Sequence, residues 1–350
     1  MKIIVDAMGG DFAPQAPVEG ALAAVQEKQA EVILTGRTED ILAVLEKLDV
    51  KELPAGLEIV HADEVIAVED NPATAFREKK NSSMTVGLNL LKEGRGDAFV
   101  SAGSTGALLS GATLLVKRIR GIRRAALAPI LPTGTGAVLI DCGANAECTP
   151  EYLLQFAFLG SFYAQKALGV EKPRVALLNI GAEENKGTDL QREAFALLKR
   201  EGDEGHIHFI GNIEAHDALL GGADVIVTDG YTGNILLKTC EGTAKLLTGL
   251  LKQTFQQNLF TKMAALPVAG GIRTMKKTLD PNEVGGTALL GISKPVIKAH
   301  GSSNGYAVKN AIKRAVEVAE TGMIQAVTEN ISYMKSTPSS AETASLETDR

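Results

Sequence analysis

The sequence predicts an α/β fold: a mainly parallel sheet with helices on both faces, an α/β/α sandwich that carries one protruding amphipathic helical segment. Two observations predict it. Four to six residues rich in Val, Ile and Leu are followed by glycine with small polar residues and then by a helix-forming stretch. This pattern recurs in KIIVDAMGGD, VILTGRTED, AFVSAGSTGA, AVLIDCGANAE, RVALLNIGAEENKG, IHFIGN and DVIVTDGYTGN. Continuous apolar strands alternating with helical segments belong to parallel sheets covered on both faces. The second observation is an exception. Residues 241–279 hold no convincing strand, and Leu247, Leu251, Phe255, Leu259 and Met263 recur every four residues, with Leu246 and Leu250 widening the stripe.

The chain has 350 residues, 45% of them hydrophobic, enough for a sizeable core. We read residues 1–334 as one catalytic domain that includes the 241–279 segment. The closing run STPSSAETASLETDR is small and polar and reads as a disordered tail, 335–350. The net charge of -6 argues against nucleic acid as a partner, and the absence of tryptophan removes one kind of base-stacking platform. Cys142, Cys148 and Cys240 are too few and too unevenly spaced for a disulfide framework or a zinc site, which fits a reducing, cytoplasmic compartment. No stretch approaches the ~20 uninterrupted apolar residues of a membrane span.

In an open α/β sheet, ligands bind where loops leave the carboxyl ends of the strands. The first such loop, DAMGGDFAP, places Asp6 and Asp11 around Gly9 and Gly10. Two carboxylates there can hold a metal or orient a basic group, but they are also ordinary strand-end and cap residues, and we expect no metal. FREKKNSSM sets Arg77, Lys79 and Lys80 beside Asn-Ser-Ser, either as a solvated face or as an anion contact at a helix start.

SAGSTGA is the strongest candidate for an anion cradle. Gly103 and Gly106 permit backbone angles denied to other residues, while Ser101, Ser104 and Thr105 offer hydroxyls where a helix begins. The alternative is a plain strand-to-helix turn with a Ser or Thr cap. It is neither a Walker loop nor GxGxxG. KRIRGIRR, 117–124, is a basic run that either faces solvent or docks an acidic partner.

LNIGAEENKG brings Asn179, Glu183, Glu184 and Lys186 into one loop, where a lysine can neutralise charge on a reacting oxygen. TDGYTGN presents Asp229, Thr232, Gly233 and Asn234, whose amide can polarise a carbonyl or bind phosphate. KAHGSSN supplies Lys298, His300, Ser302, Ser303 and Asn304. GxSxG, HExxH and CxxC are all missing, so a covalent enzyme intermediate has no good candidate. The inventory suits positioning and electrostatic stabilisation around an anionic substrate.

Taken together, DAMGGD, HADEVI, KKNSSM, SAGSTGAL, LNIGAEENKG, VTDGYTGN and IKAHGSSN, in this order over roughly residues 1–330, resemble the bacterial acyl-acyl carrier protein:phosphate acyltransferases. The resemblance implies a fold akin to phosphate acetyltransferases and isocitrate-type dehydrogenases, a homodimer, and no cofactor. It implies that inorganic phosphate attacks the thioester of a long-chain acyl carrier protein, giving acyl phosphate for a membrane glycerol-3-phosphate acyltransferase. Carried over, it makes Lys186 and Asn234 the catalytic pair, and it surrounds phosphate and acyl group with Asp6, Gly9, Gly10, Ser101, Gly103, Ser104, Thr105, Gly106, Asn179, Asp229, Thr232, Gly233, His300, Ser302 and Ser303. The leucine and phenylalanine stripe at Leu247, Leu251, Phe255 and Leu259 then gains a reading as bilayer or acyl-chain contact, beside core or dimer packing. The runner-up functions are a short-acyl phosphate transferase or dehydrogenase of related fold, or a non-catalytic carrier-protein or lipid-binding scaffold. Three positions depart from the family pattern: Phe12, where histidine is expected; Ser104, where asparagine is expected; and Ala125, where proline is expected.

Overall fold

A computed structural model describes residues 1–131 and 136–335. The tail read at 335–350 therefore lies outside the described residues except for its first position.

Eleven strands form among the described residues: β1 Lys2–Asp6, β2 Glu31–Gly36, β3 Leu57–His61, β4 Ala98–Ser101, β5 Ala126–Ala128, β6 Val138–Ile140, β7 Val175–Leu178, β8 Phe209–Ile213, β9 Val225–Val227, β10 Thr287–Leu290 and β11 Val296–Lys298. They build a seven-stranded sheet in the order β3-β2-β1-β4-β11-β10-β5 and a four-stranded sheet in the order β6-β9-β7-β8. Only β10 runs antiparallel to its neighbours, β11 and β5. The two sheets meet at β5 and β6, where Leu139 N donates to Pro129 O at 3.0 Å and Cys142 N to Leu127 O at 3.1 Å.

The mostly parallel arrangement explains the uninterrupted apolar runs. Successive side chains of a strand point to opposite faces, so a strand covered on both sides must be apolar throughout. Accordingly Ile3 and Val5 enter one buried cluster and Ile4 the other, and Val32 and Leu34 are split from Ile33 in the same way. Helix Gln15–Gln26 packs on helix Gly305–Glu320, which closes one face of the larger sheet with Val18, Ala21, Val308 and Ala311.

The amphipathic segment differs from the expectation in extent. Its helix runs Gly230–Gln256 and so starts ahead of residue 241, because Asp229 caps it by accepting from Thr232 N at 2.8 Å. It also ends before the stripe does. Asn258 accepts from Thr261 N at 3.0 Å and starts a separate short helix, Leu259–Ala264, which takes Met263 off the first helix axis. The third helix, Ala269–Leu279, carries Arg273, Lys276 and Lys277 as the sequence suggests. Gly230–Gln256 is about 40 Å long by its rise per residue, yet its only buried residues are Gly230 and Gly233 in the first turn. Beyond Leu236 and Leu237, which pack against the core, it projects outward. No helix of the described residues is long and apolar enough to cross a membrane.

Candidate active site

Strands β1, β2, β4 and β11 are mutually parallel, so the loops that follow them share one sheet edge. The loops after β6, β9 and β7 share the corresponding edge of the smaller sheet. A cavity of about 390 Å³ opens where the two edges face each other. Its wall combines Thr105 from the β4 loop, Lys298, His300 and Gly301 from the end of β11, and Gly143 from the β6 loop. Asn234, Lys238 and Glu241 come from the helix after β9, and Gly285 and Gly286 from the approach to β10.

Asp6 lies beneath this wall rather than in it. It is buried, and its carboxylate accepts from Ser101 Oγ at 2.7 Å and from Met8 N at 3.1 Å. Burial pushes its acid upward from the ordinary carboxylate range, and the hydrogen bonds from Ser83 and Ser101 oppose that shift. Ser101 Oγ in turn accepts from Gly103 N at 3.0 Å. Gly9 is packed into the same knot: a Cβ there would stand 2.5 Å from Asp6 Oδ2 and 2.7 Å from Gly103 N. Gly10, at φ +100°, takes a conformation that suits glycine.

Within SAGSTGA the hydroxyls have separate tasks. Ser101 holds Asp6, Ser104 caps helix Thr105–Gly111 by accepting from Ala107 N, and Thr105 alone reaches the cavity. Gly106 instead packs close to Pro72. The loop after β9 divides similarly. Asp229 accepts from both Thr232 N and Thr232 Oγ1 at 2.8 Å, and Gly233 is buried against β6, where a Cβ would lie 2.0 Å from Asp141 O. That pressing turn aims Asn234 at the cavity.

Asn179 and Lys186 do not line the cavity. Asn179 closes its own loop, accepting from Ile180 N at 2.8 Å and donating to Lys186 O at 3.1 Å. The Lys186 ammonium is exposed and stands 3.9 Å from Glu183 Oε1. On the opposite side, His300 Nδ1 and Ser302 Oγ are 2.8 Å apart. Burial, with Lys238 nearby, holds the imidazole below its usual value, so it is neutral at physiological pH. Ser303 Oγ is buried without a hydrogen-bond partner. Of the departing positions, Phe12 is exposed and Ser104 is the helix cap already described.

Several residues of the site escape a reading of loops one at a time. Lys238 is one, although it follows Asn234 by four positions and therefore shares its helix face. It pairs with Glu241 at 2.9 Å. Asp141 is another. Its buried carboxylate accepts from Leu127 N at 2.8 Å, Cys142 N at 2.7 Å and Asn145 N at 2.6 Å, which ties β5 to the β6 loop. Cys142 lies in the cavity wall, but burial and the Asp141 charge push its thiol up to about 12, so it is not a thiolate nucleophile at neutral pH.

Two further cavities lie beside the first in a row. One of about 340 Å³ shares Glu241 and His300 with it and adds Lys245, Asn282 and Ser302. The next, about 240 Å³ and mostly apolar, shares Thr248 and Lys276 with the second. It lies between the long helix and its return, among Leu251, Phe255, Ile272 and Met275.

A family model described as "Fatty acid synthesis protein" matches residues 1–326. The chain belongs to this family. Relatives of the fatty acid synthesis protein family include a phosphate acyltransferase of Alkaliphilus oremlandii, 48% identical over 335 residues, which span 95% of this chain and 98% of that one. A phosphate acyltransferase of Clostridioides difficile is 44% identical over 335 residues, 95% of this chain and 96% of its own. Among solved structures, a phosphotransacetylase from Streptococcus pyogenes superposes with a TM-score of 0.62 at 20% identity, covering 91% of this chain and 94% of its own. A branched-chain phosphotransacylase from Enterococcus faecalis gives 0.54 at 16%, covering 91% and 100%. These two similarities show that this chain shares its fold with those two proteins.

Proposed function

We propose that this chain transfers a long-chain acyl group from acyl carrier protein to inorganic phosphate. The observation that carries the reading is a polar, lysine-bearing cavity in a row with an apolar crevice, neighbouring cavities sharing wall residues, in a chain whose relatives are phosphate acyltransferases. Such a shape accommodates an anion at one end and an alkyl chain at the other. A phosphate oxygen attacks the thioester carbonyl carbon, the C–S bond breaks, and the proton of monohydrogen phosphate leaves on the thiol. Asn234, which lines the cavity, donates to the carbonyl oxygen as it gains charge. Lys186 keeps the catalytic role carried over from the family as a proposal, acting from outside the cavity wall. Full activity in Lys186→Ala would remove it.

The acidic carrier protein has a fitting surface in the exposed basic run, where Arg118, Arg123 and Arg124 share a groove with Lys335. Leu246, Leu247 and Leu250 are exposed on the long helix, and Phe260 and Leu266 are 84% and 74% exposed beyond it. Leu251 and Phe255 turn instead toward the crevice. The exposed set supports peripheral contact with the inner face of a bilayer, where a membrane acyltransferase would receive the product. The side chain of Leu259 lies outside what the structure describes. A second copy of the chain is the competing occupant of the exposed face, and vesicle flotation with sedimentation of Leu247→Glu separates the two.

The deciding experiment is phosphate-dependent release of free thiol from a long-chain acyl carrier protein. Release that does not depend on phosphate, or turnover of acetyl-coenzyme A in preference, would refute the reading.

A further inference from the structure

We propose that Lys298 is the residue that grips the attacking phosphate, a role no motif reading gave it. The inference rests on the phosphate-transfer reading above and names the cation of that same site.

Four observations on the fold point to it. Strand β11 inserts between β4 and β10, and its register sets Lys298 directly beside Ser101, the residue from which the SAGSTGA loop departs. Lys298 is therefore held by the sheet, not by a mobile loop. Its side chain lines the cavity, where Nζ donates to the carbonyls of Ala102, at 3.3 Å, and Ala299. Both acceptors are neutral, and among the described residues Lys298 makes no ion pair within 4.0 Å. Lys238, the cavity's other lysine, is already paired with Glu241. Thus the cavity contains one ammonium fixed in direction by two carbonyls and touched by no carboxylate, which leaves it open to an anion.

The surroundings agree with that role. Ser101 and Ser104 are engaged with Asp6 and the helix start, so the loop itself offers the cavity one hydroxyl, Thr105. Ser303 Oγ, in the loop that follows β11, is a buried hydroxyl without a partner. Asp6 and Asp11, from the β1 loop, favour the charged ammonium without reaching it. Lys238 opposes them, Glu241 stands on the same helix as Lys238, and the neutral His300 is two residues further along the chain. Burial outweighs the two carboxylates and brings the Lys298 ammonium down to about 8, so it is charged at neutral pH and discharges just above it.

The test compares the full-length protein with Lys298→Met and Lys298→Arg, varying phosphate at saturating acyl carrier thioester and measuring phosphate affinity separately by calorimetry. Loss of one charge-assisted contact predicts that Lys298→Met raises the phosphate KM and Kd about ten- to hundredfold, with the carrier KM within about twofold of the parent and Lys298→Arg in between. In the unaltered protein, the phosphate KM should rise about tenfold between about pH 7.5 and 9.5, where phosphate is already a dianion and His300 neutral. That arm decides the matter if Lys298→Met fails to fold. A phosphate KM and Kd unchanged in folded Lys298→Met, or a flat pH profile, overturns the assignment. An unaltered protein that binds phosphate through Lys298 without releasing thiol would refute the transferase reading and leave this one standing.

Discussion

Ser101 Oγ donates to Asp6 Oδ2 at 2.7 Å across the β1–β4 pairing and accepts from Gly103 N at 3.0 Å, so one hydroxyl joins the two glycine loops of the larger sheet. Removing it takes one donor from a buried carboxylate and leaves the Gly103 N–H without its acceptor. Ser101→Ala should lower unfolding stability by about 1–3 kcal/mol, measured as a shift in urea midpoint at constant slope. A midpoint that does not move would mean that water replaces the hydroxyl.

Arg174 and Asp224 form a fork, with Nε 3.0 Å from Oδ2 and Nη2 2.9 Å from Oδ1, and Asp224 also accepts from Arg174 N at 2.8 Å. The guanidinium holds the Asp224 acid below its ordinary 3.8. A depressed carboxylate stabilises the fold above its unfolded value, and that contribution disappears as pH falls through the folded one. Because the pair is partly solvated, Arg174→Met should cost only about 1 kcal/mol at pH 7. The deficit should shrink as pH falls below the ordinary 3.8, read from melts at a series of pH values. An equal deficit at both ends would assign the effect to lost packing.

The crevice among Leu251, Phe255, Ile272 and Met275 makes a separate claim about chain length. Met275→Trp fills part of its 240 Å³, so kcat/KM for long acyl donors should fall about tenfold while that for short donors changes little. Equal losses for all donors would place the alkyl chain elsewhere.

Lys298 links function to stability with opposite signs. Its folded value, about 8, is below the unfolded 10.5, so its burial costs stability below pH 8, and the cost is relieved as pH climbs toward 10.5. Lys298→Met should therefore raise Tm at pH 7 by about 1–3 °C even as phosphate affinity falls. Scanning calorimetry would show it, and a lowered Tm would count against a burdened ammonium.

Periodicity made the first strand layer legible because β1, β2, β4, β6, β7, β8 and β9 each pair an apolar run with a glycine-bearing turn. It passed over β5, β10 and β11, which are joined through the antiparallel β10 and so fall outside the repeating parallel strand–turn–helix unit, and β3, whose outer position leaves most of its residues half-buried. Those omissions hid the junction of the sheets and the seat of Lys298. Motifs likewise pointed to the sheet edge where the cavity opens but could not apportion tasks within a loop. That Ser101 turns inward to Asp6 while Thr105 turns outward depends on contacts between segments some 95 positions apart.

The placement of β11 bears on how the chain is made. Lys298 and Ala102, 196 positions apart in sequence, meet at one hydrogen bond. At about 5–20 residues per second, the ribosome delivers β11 roughly 10–40 s after β4. Until then β4 has an open edge lined by Phe99 and Val100, and the first hundred residues form an unfinished layer. Synthesis in the cell thus leaves a long interval in which the nascent protein is vulnerable to edge-to-edge association, and the strand that completes the sheet also brings in the lysine of the anion pocket.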